Sequence, residues 1–293
     1  MDELAPSVKG FYDADTGSIQ YIVSDPATSL CAIIDPVLDF SETRNPHLFT
    51  RSADAILAYV AANKLIVQWV LDTHLHADHF SASQYIKNAT GAKTATSTYV
   101  VEAQKIWSEI YNLPDIPTDG SQWDHLFAEN ESFKIGEIGG TLMYSPGHTP
   151  ASVTYLIGDA AFIHDTLFMP DLGTARADFP GGSAKQLWQT IQNIIALPDE
   201  TRLFTGHDYP PNGREPLWES TVGAQKANNI HLLAAKTEQE FIQLRETRDR
   251  TLATPRLMFR ALQINIRGGK LPAPESNGRR YLKIPLSHCI FPS

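Results

Sequence analysis

The feature that most limits what this chain can fold into is a nearly unbroken apolar run, Leu65–Leu71, which passes through Asp72-Thr73 into His74-Leu75-His76-Ala77-Asp78-His79. Such a run suits a strand covered on both faces. Three imidazoles and a carboxylate in quick succession then suit a metal site far better than core filling. In an extended backbone, side chains two apart share a face, so His74, His76 and Asp78 are expected to converge. His79 then projects to the other side, toward a possible second ion. Imidazole with carboxylate favours Zn, Fe or Mn.

One loop supplies too few ligands. Three candidates follow downstream: His148 in Ser145-Pro-Gly-His-Thr149, Asp165 in His164-Asp-Thr-Leu-Phe168, and His207 in Gly206-His-Asp-Tyr209. The surrounding pattern predicts paired strands at Gln20–Val23 and Cys31–Ile34 and a helix over Ser52–Ala62 capped by Ser52. A second helix is expected from Phe80 to Ala89, strands through Lys134–Ile157 and at Ala161–His164, an amphipathic helix at Lys185–Ile195, and a strand at Arg202–Thr205. Helices alternate with mixed strands, an α/β arrangement in which each suspect residue lies where a strand stops. Loops beyond strand ends are the usual place for a site on a rigid scaffold. Glu219–Arg250 is rich in helix formers, whereas Thr254–Ser293, with its prolines and glycines, reads as an extended wrap over the body.

At 293 residues the chain can bury a sizeable core, and its net charge of -9 argues against nucleic acid as a partner. The apolar runs are strand length, too short to span a membrane. The opening MDELAPSVKG lacks a positive, apolar leader pattern, and Cys31 and Cys289 are far apart, expected as buried reduced thiols. A cytoplasmic protein is expected.

The order H-x-H-x-D-H, P-G-H-T, Asp before Leu-Phe, and G-H-D-Y resembles the metallo-β-lactamase superfamily over roughly residues 8–210. The resemblance implies an αββα sandwich with a metal cleft at one edge of two facing sheets. It also implies a catalytic domain over residues 1–215 and a C-terminal helical and extended segment, 216–293, packed on the same domain. Ile34–Leu38, Thr73–His79 and Gly173–Phe179 are similar to the persulfide dioxygenases, and Asn229-Ile-His231 with Arg280–Pro285 to a bacterial branch of that group, for which no rhodanese domain is expected.

That likeness implies one Fe(2+) per chain held by His74, His148 and Asp165, with three positions left open for a persulfide sulfur and O2. It implies glutathione persulfide as the organic substrate, Arg176 as a residue that binds it, and Tyr209 as a hydroxyl donor to bound oxygen or sulfur. Arg176 pairing structurally with Asp178 remains the other possibility. His76, Asp78, His79 and His207 would orient the ligands, or, in hydrolytic relatives, Asp78, His79 and His207 would hold a second metal. A dinuclear hydrolase of glutathione thioesters, similar to glyoxalase II, therefore stays open. A homodimer is implied. His164 stands where such relatives commonly have Gly, and is expected to point into the core and not to act as a ligand.

Overall fold

The computed structural model describes residues 5–43 and 45–286. Alternating side chains of single strands feed two different cores, which fixes the layering. Along one strand, Ile19, Tyr21 and Val23 enter a core between two sheets while Ile22 faces the other way, toward helices. The first sheet has the order β1 (Ser7–Tyr12), β2 (Ile19–Ser24), β3 (Leu30–Ile34), β6 (Ile66–Leu71), β8 (Lys93–Ser97) and β9 (His125–Phe127). β1–β3 run antiparallel and β3, β6, β8 and β9 parallel. The second sheet runs in chain order: β10 (Ser132–Ile135), β11 (Ile138–Tyr144), β12 (Val153–Ile157), β13 (Ala160–His164), β14 (Arg202–Thr205) and β15 (Glu219–Thr221). Its β13–β14 pair is parallel and the others antiparallel. A small third sheet joins β4 (Val37–Ser41), β5 (His47–Phe49) and β7 (Phe80–Ser81).

The inter-sheet core joins Leu71, Ala95 and Phe127 of the first sheet to Phe133, Tyr155, Phe162 and Phe204 of the second. Outside the first sheet, α1 (Arg51–Ala62) and α2 (Ser83–Thr90) cover Ile33, Val67 and Val70 with Ile56, Val60 and Ile86. Outside the second, α4 (Ala184–Ile195) and α7 (Glu238–Asp249) cover Ala161, Ile163 and Leu203 with Leu187, Ile191, Ile194 and Phe241. The result is the expected αββα sandwich, since each sheet must bury both faces. α3 (Val100–Ile110) and α8 (Met258–Asn265) pack beside Leu75 and Ala77 at the strand ends.

Four local expectations change. The residue ahead of α1 is Thr50, and neither it nor Ser52 caps the helix through its side chain; Ser52 instead gives its amide and hydroxyl to Asp39. The carboxylate is the stronger acceptor for that hydroxyl. Phe80 and Ser81 leave the predicted helix to pair with Leu38 and Val37, which buries Phe80 completely, and the helix begins at Ser83. The helix-rich stretch after 219 breaks into β15, α5 (Val222–Asn228), α6 (Ile230–Ala234) and α7. Asn229 stops α5 and caps α6 by accepting from the amides of His231 and Leu232, and Thr237 with Glu240 forms a capping box on α7. Within the expected extended wrap, Met258, Ala261 and Leu262 recur at helical spacing and are buried, so α8 forms there. β15 pairs with β14, so the stretch after 215 supplies the second sheet with its edge strand.

Cys31 is a free, buried thiol; Cys289 lies outside the described residues. Among the described residues no helix is long and apolar enough to cross a membrane.

Candidate metal centre

The four chain segments expected to carry ligands all leave the C-terminal ends of strands on one edge of the sandwich: β6 before His74, β11 before His148, β13 before Asp165 and β14 before His207. His74, His148 and Asp165 each contribute a donor atom, and these atoms lie within 4.8 Å of one another. All three residues are buried.

Hydrogen bonds behind the two imidazoles set which nitrogen faces inward. The His148 Nδ1 lies 2.8 Å from the Arg176 carbonyl oxygen. A carbonyl can only accept, so Nδ1 carries the proton and Nε2 keeps its lone pair. The Thr73 hydroxyl donates to Asp35 Oδ2 at 2.7 Å, so its oxygen accepts from His74 Nδ1 at 2.9 Å. Asp35, through Thr73, thereby holds His74 in the same tautomer as His148. Burial lowers the proton affinity of His74 and of His148, which keeps both neutral, as ligation requires.

Whether an ion fits is decided by the atoms left over. His74 Nε2 and Asp165 Oδ1 are buried with no hydrogen-bond partner. Each such orphan costs about 1–3 kcal/mol, and a cation between them would satisfy both. Two neutral imidazoles and a carboxylate fit Fe, Zn or Mn.

A second group gathers His76, Asp78 and His79. Burial pushes His79 down to about 4, and its Nδ1 lies 3.1 Å from the Phe80 carbonyl, so Nε2 is the free donor. His76 behaves differently. Burial opposes its charge, but the Asp35 carboxylate, 3.0 Å from Nε2, holds it up to about 9. Likewise burial opposes charge on His207, yet Asp165 and Asp78, at 3.4 and 3.3 Å from its Nε2, hold it up to about 10. Asp78 also accepts from the Ser18 hydroxyl at 2.8 Å.

The sequence expectation of His74, His76 and Asp78 meeting at one point, with His79 on the far side, is not what the backbone delivers. Residues 73–79 form successive bends rather than a strand, so two-residue alternation does not apply. His74 turns toward His148 and Asp165, His76 toward Asp35, and His79 lies with His76 and Asp78. His164 is buried, as expected, and belongs to neither donor group. Its φ of 40° is a left-handed conformation that glycine adopts freely, and its ring sits 5.4 Å from that of His74.

Beside the donors lies a cleft of about 320 Å³, whose lining includes Phe168, Arg176, Phe179, Tyr209 and, from the C-terminal stretch, Arg245, Arg248 and Leu252. Tyr209 stacks on His207 and places its hydroxyl 3.1 Å from Nδ1. Arg176 is bidentate to Asp178, with Nε and Nη2 at 2.7 and 2.8 Å from the carboxylate oxygens, and Nη1 donates to the Ala253 carbonyl. The structural pairing left open by the sequence is thus the one formed.

Several supporting residues escaped the sequence reading. Asn265 of α8 donates to the carbonyls of both His76 and His79 and accepts from the Ser81 amide, which ties the histidine-rich bends to a helix far away in sequence. Arg245 of α7, fully buried, donates to the Thr174 carbonyl and pairs with Asp249, whose other oxygen accepts from the Ala177 amide. That clamp fixes the loop whose Arg176 carbonyl orients His148. No local signal marks either residue, because their partners lie far along the chain.

An αββα sandwich with clustered His and Asp donors at the strand ends defines a metal-dependent hydrolase or oxidase scaffold. Residues 20–207 match the metallo-β-lactamase superfamily, and the chain belongs to it. It is 63% identical over 282 residues to a β-lactamase hydrolase-like protein from Xylella fastidiosa, a match that covers 96% of this chain and 65% of that one. The chain thus spans about two thirds of that relative's length. A glyoxylase B2 from Dictyostelium discoideum is 43% identical, with 96% of this chain and 97% of the relative covered. Among solved structures, ETHE1 from Myxococcus xanthus superposes with a TM-score of 0.73 at 28% identity, covering 90% of this chain and all of that one.

Proposed function

We propose that the chain is a persulfide dioxygenase that oxidises glutathione persulfide with O2 to sulfite and glutathione, using one Fe(2+) held by His74, His148 and Asp165. One observation carries this: His74 Nε2 and Asp165 Oδ1 are buried without hydrogen-bond partners and share a point within 4.8 Å with a His148 nitrogen, while His76 and His207 each lie against a further carboxylate, Asp35 and Asp78. Two His and one carboxylate on one side are the donor set that leaves adjacent positions vacant for oxygen chemistry. The likeness to ETHE1 supports the same assignment.

Fe(2+) in this set supplies the redox partner that makes reaction with triplet O2 spin-allowed. The protein does the rest. Asp35 and Thr73 keep His74 turned inward, and the Arg176 carbonyl does so for His148. The apolar side chains of Phe168, Leu172 and Phe179 line the cleft beside the donors and exclude water from the sulfur. Tyr209 and His207, hydrogen-bonded to each other, stand at the same cleft and can pass a proton to an anionic sulfur oxide or leaving thiolate. In the overall reaction both atoms of O2 go to the outer sulfur. Water then cleaves the S–S bond, giving glutathione, sulfite and two protons. A homodimer in the cytoplasm is part of the same proposal.

The second group, His76, Asp78 and His79, with His207 beside Asp78, favours one other reading: a dinuclear hydrolase of glutathione thioesters, in keeping with the glyoxylase name of one relative. An oxygen electrode separates the two. Uptake of one O2 per glutathione persulfide, with sulfite formed, is the expected result; cleavage of S-lactoylglutathione without oxygen uptake from the persulfide would overturn the proposal.

A further inference from the structure

Three guanidinium groups line the cleft beside the donors: Arg176, Arg245 and Arg248. Two of them are already neutralised. Arg176 is held bidentately by Asp178, and Arg245 is buried against Asp249. Arg248 lies one turn along α7 from Arg245 and is exposed, and its guanidinium has no carboxylate and no hydrogen-bond partner among the described residues. The acidic residues that line the cleft are Asp78 and Asp165, both committed to the donor cluster and His207. Among the described residues Arg248 is therefore the one guanidinium of the three that is left without a carboxylate at the cleft beside the metal donors.

The helix that carries Arg248 is anchored beside the cleft. Arg245 and Asp249, on either side of it in the helix, anchor α7 to the Thr174 carbonyl and the Ala177 amide, so the helix cannot drift from the cleft. Leu252 and Pro255, just beyond α7, add apolar wall to the same cleft. A ligand that reaches from the donors to Arg248 therefore meets apolar surface along its length and a free guanidinium at one end. Arginine offers a planar fork that matches a carboxylate bidentately.

We infer that Arg248 is the recognition group for a carboxylate of the substrate, and that the enzyme selects carboxylate-bearing thiol derivatives over neutral ones. This rests on the site proposed above for the place of the reacting sulfur, but on neither the metal's identity nor the reaction type. Arg176, the residue the sequence pointed to, serves the scaffold: with its fork filled by Asp178, it keeps its own carbonyl against His148.

Binding of S-methylglutathione, unreactive in either proposed reaction, tests this on the metal-loaded protein by calorimetry. Arg248→Gln is expected to weaken binding about tenfold, the loss of one charge-assisted contact at an exposed group. Arg248→Lys should recover part of that affinity, and raising the salt concentration should weaken the wild type more than the glutamine variant. S-methylglutathione diethyl ester should bind wild type and Arg248→Gln alike. Because Arg248 is exposed, the melting temperature should not move, which separates lost recognition from lost folding. Equal affinity of wild type and Arg248→Gln for S-methylglutathione would overturn the inference. Absence of oxygen uptake with an intact Arg248 effect would instead sink the proposed reaction and leave the recognition role standing.

Discussion

Replacing Thr73 by Val tests the assignment of His74 at its weakest joint. The two side chains are nearly the same shape, and Thr73 is buried, so packing is kept while one hydroxyl is lost. That hydroxyl does two things: it donates to Asp35 Oδ2 at 2.7 Å and accepts from His74 Nδ1 at 2.9 Å. Without it, Asp35 keeps the Thr73 amide at 2.8 Å and the His76 contact, so the carboxylate is not stranded. His74 is stranded. Its Nδ1 proton has no acceptor, and the imidazole is free to move the proton to Nε2 and withdraw its lone pair from the site. Loss of a partner that fixes a ligand's tautomer typically costs ten- to a hundredfold in metal affinity, or about 1.4–2.7 kcal/mol. Competition with a chromogenic iron chelator, performed anaerobically on iron-loaded protein, reads that number. Thr73→Ser keeps the hydroxyl and should behave as wild type. An iron affinity for Thr73→Val within twofold of wild type would refute the relay from Asp35 to His74.

Three further outcomes follow from the geometry. A Cβ on Gly206 would sit 2.3 Å from Asp165 Oδ1, so Gly206→Ala should displace that carboxylate and cost about a hundredfold in turnover; unaltered turnover and metal content would place Asp165 outside the site. Asn265→Leu leaves two buried carbonyls and an amide without partners and should lower unfolding free energy by about 3–5 kcal/mol in urea titration; a loss below about 1 kcal/mol would contradict the clamp. His231, whose Nδ1 accepts from the Thr174 amide, is pushed by burial from 6.5 down to about 4. The unfolded chain therefore binds that proton more tightly. The contribution of a neutral His231 is complete above about pH 6.5 and is lost as pH falls toward 4, at about 1.4 kcal/mol per pH unit. Melting temperatures of wild type and His231→Gln should accordingly converge as pH falls from 7 to 4.5, and a constant difference would contradict the shift.

What could be read in the sequence was what repeats locally or sits beside a strand end. Leu65–Leu71 announced a central strand, and the order of His74, His148, Asp165 and His207 announced a shared cleft, since each follows an apolar run. The division of labour within the histidine run was not legible. It depends on the bends at residues 73–79 and on Asp35, which turns His76 away through a contact between distant segments. Helix ends set by tertiary contacts were also hidden: Phe80 leaves the helix because Leu38 and Leu257 offer it a core, and α8 forms inside a stretch punctuated by proline and glycine. Arg176 was legible through the likeness of Gly173–Phe179 to the persulfide dioxygenases and does line the cleft, whereas Arg248 reaches the same cleft only through the folding back of α7.

Iron content bears most directly on the claim that His74, His148 and Asp165 hold a lone redox-active ion. Elemental analysis of protein purified without oxygen should find close to one iron per chain, lost together with persulfide-dependent oxygen uptake in His148→Ala. Two zinc ions per chain in protein that cleaves glutathione thioesters, with Asp78, His79 and His207 needed for the second, would contradict it.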